Sequence, residues 1–254
     1  MKILAINSSY RGDKGHTRFL IDKLFKGATE RGAECEVVTL SKKKINICIA
    51  CNVCQTENHF LKCVFEEKDD VRSIFNKMAS ADLIIFASPV YIFGISGLMK
   101  IFLDRIHSTG NVKDLRVSKS GLIFHHINHS ICSKPFVTLV CFDNLEDETP
   151  KNILSYFKTY SKFMDAPQVG TLIRNAGALT GHGKDPEREK KFTKIYDVYN
   201  AYEQAGRELV EYGKITNKTQ KRANQEIIPV PLFKYIKKIK PLKGKLLDNA
   251  QKMK

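Results

Sequence analysis

Hydrophobic positions along the chain alternate between short continuous runs and stretches with helical spacing. Ile3 to Ile6 is an apolar run that stops at Asn7-Ser8-Ser9. After the polar stretch Arg11 to Gly15, Leu20, Ile21, Leu24, Phe25 and Ala28 recur every three to four residues. This predicts strand, loop and helix. Gly32 ends the helix, and Cys35 to Leu40 predicts a second strand. The pattern breaks at a cysteine-rich insertion, 45–66, and resumes when Asp69 and Asp70 supply charge at the start of a helix carrying Val71, Ile74, Phe75 and Met78. Leu83 to Ala87 reads as a strand buried on both faces and closed by Ser88-Pro89, with a helix from near Ser96 through Leu98, Ile101, Phe102 and Ile106. Residues 107–135 are polar, rich in histidine and left unassigned. Phe136 to Phe142 predicts a strand, Asn152 to Phe163 a helix, Val169 to Ile173 a strand, and Phe192, Ile195, Tyr196, Tyr199 and Tyr202 one face of a long helix. Five strands alternating with helices predict an α/β fold with a doubly wound parallel sheet.

Composition changes this picture in three places. The 254 residues are 43% hydrophobic, enough for a sizeable core, and the longest uncharged run, Leu83 to Met99, is too interrupted by Ser88, Pro89, Gly94, Ser96 and Gly97 to span a membrane. No secretory leader pattern follows Met1, so a cytoplasmic location is expected. The net charge of +15 is concentrated at the end of the chain, where 214–254 hold twelve Lys and Arg against Glu226 and Asp248. We therefore divide the chain into a domain, 1–213, and a basic C-terminal extension, 214–254. No zinc-finger or RNA-binding signature accompanies the charge, which argues against nucleic acid as a partner. Within the extension Leu232, Phe233, Ile236 and Ile239 alternate with Lys234, Lys237, Lys238 and Lys240. That pattern suits docking on the domain or a second subunit more than contact with an anionic membrane.

In an open parallel sheet ligands bind beyond the carboxyl ends of the strands. The loop after the first strand carries Ser9, Arg11, His16 and Thr17 beside a helix start, a set that favours a phosphate over an uncharged ligand, although an ordinary solvated connection has the same composition. The loop after the third strand, Pro89-Val90-Tyr91-Ile92-Phe93-Gly94, is apolar and aromatic where such loops are polar, and suits a flat apolar ligand or a packing partner. Four of seven cysteines, Cys48, Cys51, Cys54 and Cys63, fall within sixteen residues. Three at a spacing of three, with a fourth after eight intervening residues, suit all-thiolate ligation of a 4Fe-4S cluster; zinc and a metal-free reduced loop remain the alternatives. His125, His126 and His129 read as a solvated loop with no carboxylate to complete a metal set, and Cys35, Cys132 and Cys141 as core residues. No paired carboxylates, nucleophile elbow or Ser-His-Asp arrangement stands out, so no catalytic acid or base is named.

Ser9-Tyr10-Arg11 with Gly15-His16-Thr17, Ser88-Pro89-Val90-Tyr91 through Lys100, Asp104 and Arg105, and the segment from Cys48 to Asp70 together resemble the NADPH-dependent FMN reductase and iron-sulfur flavoprotein family over roughly residues 1–213. Tyr10 stands where the family has proline, and His16 where it has Asn or Ser. The resemblance implies a flavodoxin-like sheet of order 2-1-3-4-5 that binds FMN, with phosphate at Ser9, Arg11, His16 and Thr17 and the isoalloxazine against Pro89 to Gly94. It implies an oxidoreductase in which a 4Fe-4S cluster on Cys48, Cys51, Cys54 and Cys63 passes electrons to FMN, with a ferredoxin-like protein or NAD(P)H as donor and a homo-oligomer as the working unit. A cluster-free NAD(P)H-dependent FMN or quinone reductase is the alternative enzyme. A non-enzymatic FMN-binding carrier or redox sensor is the alternative outside catalysis.

Overall fold

A computed structural model describes residues 1–179 and 185–228, together with 239, 242, 244, 245 and 248. The first strand, β1 (Lys2–Asn7), leads through a polar loop into α1 (His16–Thr29) and then β2 (Glu34–Thr39). After the cysteine segment come α2 (Val71–Ser80), β3 (Leu83–Pro89) and α3 (Gly97–Asp104). Asp69 accepts from the Val71 N–H at 3.1 Å at the start of α2, and Ser96 caps α3 by accepting from the Met99 N–H at 3.2 Å. The segment left unassigned from sequence folds as a hairpin of β4 (Leu115–Val117) and β5 (Ile123–His125), followed by the short α4 (His129–Cys132). The chain continues as β6 (Phe136–Cys141), α5 (Lys151–Phe163), β7 (Gln168–Arg174), α6 (Pro186–Lys190), α7 (Lys194–Tyr212) and α8 (Asn217–Ala223).

Five strands pair in parallel in the order β2-β1-β3-β6-β7, which is the order 2-1-3-4-5 when only sheet strands are counted. Alternate residues of each strand face opposite layers. Ile3 and Ala5 of β1 pack with Leu20, Ile21 and Leu24 of α1 and Tyr202 and Leu209 of α7. Leu4 and Ile6 pack with Phe75 of α2, Phe102 of α3 and Phe157 of α5 on the other side. Helices α1 and α7 lie unusually close, because a Cβ on Gly27 would stand 1.7 Å from the Glu203 carbonyl oxygen and one on Gly206 1.9 Å from that of Leu24. The apolar stripe of the last long helix begins before the helix itself: Phe192 precedes its first residue, Lys194.

The start of the extension is part of this packing. The Ile215 N–H donates to the Val169 carbonyl at 2.9 Å, and Gln220 and Asn224 accept from the N–H groups of Thr171 and Ile173, both at 2.7 Å. Residues 215–224 thus occupy the hydrogen-bonding groups of β7, which would otherwise be an open sheet edge. The residues on which the amphipathic reading of the extension rests, 232–240, lie outside the described residues except for Ile239. No helix among the described residues is long and apolar enough to cross a membrane.

Candidate functional site

Two loops singled out from sequence meet at the carboxyl ends of β1 and β3. The first is tied down from within: the Ser9 N–H donates to Asn7 Oδ1 at 3.2 Å, Asn7 Nδ2 to the Gly12 carbonyl at 3.3 Å, and Ser8 Oγ to the Ala87 carbonyl at 3.1 Å. Gly12 holds φ +56°, and a Cβ on Gly15 would stand 2.7 Å from Ser9 Oγ, so both glycines are needed for the turn to close over the serine. Helix α1 starts at His16 with Gly15 as its cap, which makes no side-chain cap hydrogen bond. The Arg11 guanidinium lies 3.2 Å from His16 Nε2. Asp13, the acid of this loop, is turned to Lys42, Thr39 and Arg18, and the Lys42 hydrogen bond leads the interactions that hold its carboxyl below the usual range. The cationic end of the loop is therefore left to Arg11 and the helix start.

The second loop is strained. Tyr91 and Gly94 exchange backbone hydrogen bonds at 3.2 and 3.1 Å, which forces Ile92 and Phe93 to φ +45° and +61°. Side chains rarely adopt that region, and each such residue costs of order 1–3 kcal/mol. The turn leaves Ile92 92% and Phe93 60% exposed, and the Tyr91 ring stands 5.7 Å from that of Tyr10.

Between the loops is a cavity of about 420 Å³. Ser9, Arg11, His16 and Thr17 line it from one side and Pro89, Val90, Tyr91, Ile92 and Phe93 from the other. Gly94 does not line it but closes the turn that shapes it. A third wall was not anticipated from sequence: Cys141, Phe142, Asp143, Asn144 and Thr149 follow β6. Asn144 accepts from Thr149 Oγ1 at 2.7 Å and from the Glu146 N–H at 3.0 Å, and Asp143 accepts from the Ala178 N–H at 2.7 Å. Cys141, read as core, is buried at this wall, and burial pushes its thiol up to about 12. The signal that could have found this wall is positional, since the loop leaves the carboxyl end of the strand beside β3. One end of the cavity offers cations and N–H groups and the other an apolar platform, as an amphiphilic ligand with a phosphate and a planar ring system requires.

Cys48, Cys51, Cys54 and Cys63 line a second, smaller cavity of about 20 Å³ together with Phe65, Arg105 and His107. Ala50, Asn52 and Leu61 around it all have positive φ. Gln55 fastens the segment to the body, donating to the Gly110 carbonyl at 2.9 Å, accepting from the Val112 N–H at 3.1 Å and reaching Cys54 Sγ at 3.6 Å. Burial pushes the Cys54 thiol up, against the Gln55 hydrogen bond, and neighbouring Cys63 and Cys51 push it the same way as burial. All seven cysteines are free. Among the described residues no three His, Cys, Asp or Glu side chains gather as a metal-ion site. His125 Nδ1 lies 2.7 Å from the His126 carbonyl and His129 Nδ1 2.8 Å from Ser133 Oγ, while His107, without signal in the sequence, lines the cysteine cavity and meets the His125 ring edge-on at 6.3 Å.

Similarity to known proteins covers the first half of the chain in sequence and most of it in fold. The family described as NADPH-dependent FMN reductase matches residues 1–125. An iron-sulfur flavoprotein of Methanocaldococcus jannaschii is 40% identical over 105 residues, 41% of this chain and 51% of that one. Another, of Clostridioides difficile, is 24% identical over 200 residues, covering 78% and 76%. The chain spans about half the length of most of the curated relatives it matches. An FMN-dependent NADH-azoreductase from Bacillus anthracis, solved in complex with FMN, superposes with a TM-score of 0.56 at 14% identity over 83% of this chain and 100% of its own, and so shares the fold. Both cavity loops and all four clustered cysteines lie within 1–125, the segment over which the chain is similar to the NADPH-dependent FMN reductase family and to the iron-sulfur flavoproteins.

Proposed function

We propose that this protein is an FMN-dependent oxidoreductase whose four clustered cysteines hold a 4Fe-4S cluster for electron entry. The observation that carries the reading is that one helix links the walls of the two cavities. Helix α3 starts from the loop that walls the larger cavity, and the residue after it, Arg105, lines the cysteine cavity. Bound FMN would supply hydride and single-electron chemistry, and a 4Fe-4S cluster would supply one-electron exchange. The chain's own residues bind and orient. Ser9, Arg11, His16, Thr17 and the first N–H groups of α1 hold the phosphate. Pro89, Val90, Tyr91, Ile92, Phe93 and the turn at Gly94 support one edge of the ring system, and Asp143 and Asn144 close the opposite side. The donor set suits the cluster: four free thiols line one cavity, and iron would bind them as thiolates.

Exposed Ile92 and Phe93 leave an apolar rim at the site, suited to a second copy of the chain or a docked redox partner. A ferredoxin-like protein is the donor if the cluster is present, and NAD(P)H if it is not. Free cysteines and an oxygen-sensitive cluster suit a reducing cytoplasm. The test is the anaerobically purified protein beside its Cys51→Ala variant. The variant keeps FMN and the fold, loses iron, and loses reduction by ferredoxin while chemical reduction of the flavin survives. A wild-type protein with flavin but no iron or sulfide after anaerobic reconstitution is instead the direct NAD(P)H-dependent reductase. One that also fails to turn over NAD(P)H with a quinone is a carrier or sensor.

A further inference from the structure

The wall of the cysteine cavity contains a cation to which the reading above gives no chemical role. Arg105 is 2% exposed, and its Nη1 donates to the Asn46 carbonyl at 2.9 Å and to Asp69. Asp69, whose side chain is 0% exposed, also accepts from the N–H groups of Asn46 at 3.0 Å and Val71 at 3.1 Å. Burial alone would raise the Asp69 carboxyl, but the Arg105 hydrogen bond and these N–H groups hold it below the usual range, so the buried pair is ionic. The guanidinium also lies 5.4 Å over the Phe65 ring, on the same cavity wall. Its Nε is buried and has no hydrogen-bond partner among the described residues. A buried, unpaired donor on a charged group is costly and calls for an acceptor. It shares the cavity with four cysteine sulfurs, His107 and Ser108, and an adjoining smaller pocket with Cys63 and Glu66, whose Oε2 is likewise buried and without a partner among the described residues.

We propose that Arg105 sets the reduction potential of the cluster held by Cys48, Cys51, Cys54 and Cys63, with its Nε–H donating to a sulfur of that site and its charge stabilising the reduced state. This rests on the cysteines holding a cluster. One-electron reduction adds a negative charge at a site with few compensating cations, and a fixed guanidinium and a hydrogen bond to sulfur both raise the potential. Asp69 is the counterweight, because it partly cancels the cation that the cluster feels. Arg105 is thus a positioning and tuning residue, which joins the cysteine segment at Asn46 to the end of α3.

Iron and sulfide are first measured on the anaerobic full-length protein, and then the midpoint potential is followed by electron paramagnetic resonance in wild type, Arg105→Lys, Arg105→Gln and Asp69→Asn. Arg105→Gln lowers the potential by at least a tenfold change in the one-electron equilibrium, about 59 mV. Arg105→Lys, which keeps the charge, lowers it less, and Asp69→Asn raises it. Should the arginine variants not fold, pulsed resonance on reduced Arg72→Lys protein grown with ¹⁵N-labelled arginine decides, since among the described residues Arg105 is the one arginine lining the cavity and Arg72 the other beside Cys63. A nitrogen coupling to the cluster supports the assignment and its absence overturns it. Iron present with potentials unmoved in Arg105→Gln and Asp69→Asn sinks the role of the arginine alone. Iron absent from wild type sinks the cluster reading, and this inference with it.

Discussion

Arg11 illustrates how much a single residue contributes when the loop around it is already built. Its guanidinium stands beside His16 at the start of α1, while the loop's acid is bound elsewhere by Lys42, Thr39 and Arg18. A phosphate there meets a cation that Asp13 does not cancel. Arg11→Ala removes one charge-assisted hydrogen bond and should weaken FMN by about 1.5–3 kcal/mol, read from quenching of flavin fluorescence on titration. Melting of the FMN-free variant should match wild type, because none of the Asn7, Ser8 and Ser9 hydrogen bonds that fold the loop involves the Arg11 side chain. Equal FMN affinities in the two proteins would remove the phosphate from this loop.

At the level of elements, contact distances override intrinsic preference. In an isolated helix Gly→Ala gains about 1 kcal/mol. At Gly27 the added carbon would stand 1.7 Å from the backbone oxygen of Glu203, so α1 and α7 would have to move apart. Gly27→Ala should therefore destabilise the protein by about 1–3 kcal/mol, the usual cost of overpacking, measured by urea denaturation. The sheet edge obeys the same logic. Ending the chain at Gly213 removes the partners of Val169, Thr171 and Ile173, as well as the Ala223 and Gln225 carbonyls that accept from buried Arg174. The shortened protein should aggregate on gel filtration through an open β7 edge, whereas a chain ended after Ile228 keeps every one of those contacts.

For the whole molecule, acid is the revealing perturbation. Asp69, Glu203 and Glu208 are each raised by burial and lowered further by their partners: Arg105 for Asp69, Lys26 and Lys23 for Glu203, Thr219 and Thr216 for Glu208. With folded values below the unfolded ones, about 3.9 for Asp and 4.3 for Glu, the unfolded chain binds more protons through this range. Their stabilisation is complete at neutral pH and is lost as pH falls through the unfolded and then the folded values. Melting temperature should be nearly level above about pH 5.5 and fall steeply toward pH 3. Glu203→Gln should melt lower at pH 7 and show a shallower fall, because Lys23 and Lys26 then bridge α1 and α7 to an uncharged group.

What the sequence determined by itself is whatever depends on near neighbours. Continuous apolar runs at 3–6 and 83–87, helical spacing from Leu20 to Ala28, and glycines at the ends of polar stretches all act over a few residues, so strands, helices and the first two cavity loops were legible. Strand order followed from the resemblance. The spacing of Cys48, Cys51 and Cys54 was equally plain, but that Cys63 shares their cavity depends on how Leu61 and Arg72 fold the segment back. Tertiary structure alone decided the rest. Asn144 and Thr149 reach the larger cavity because β6 pairs with β3, a neighbour fifty residues earlier in the chain. The hairpin of β4 and β5 is too short for a period to register, and the polar helix α8 is held by side chains that answer the backbone of β7 rather than by an apolar stripe. Arg105 enters the sequence reading only as part of the stretch that resembles the family, with no role of its own. Only the approach of Asp69 and the Asn46 carbonyl, from a segment 36 to 59 residues away, makes it a buried cation facing the cysteine cavity. Charge burial is paid for by partners distant in sequence, which no local pattern encodes.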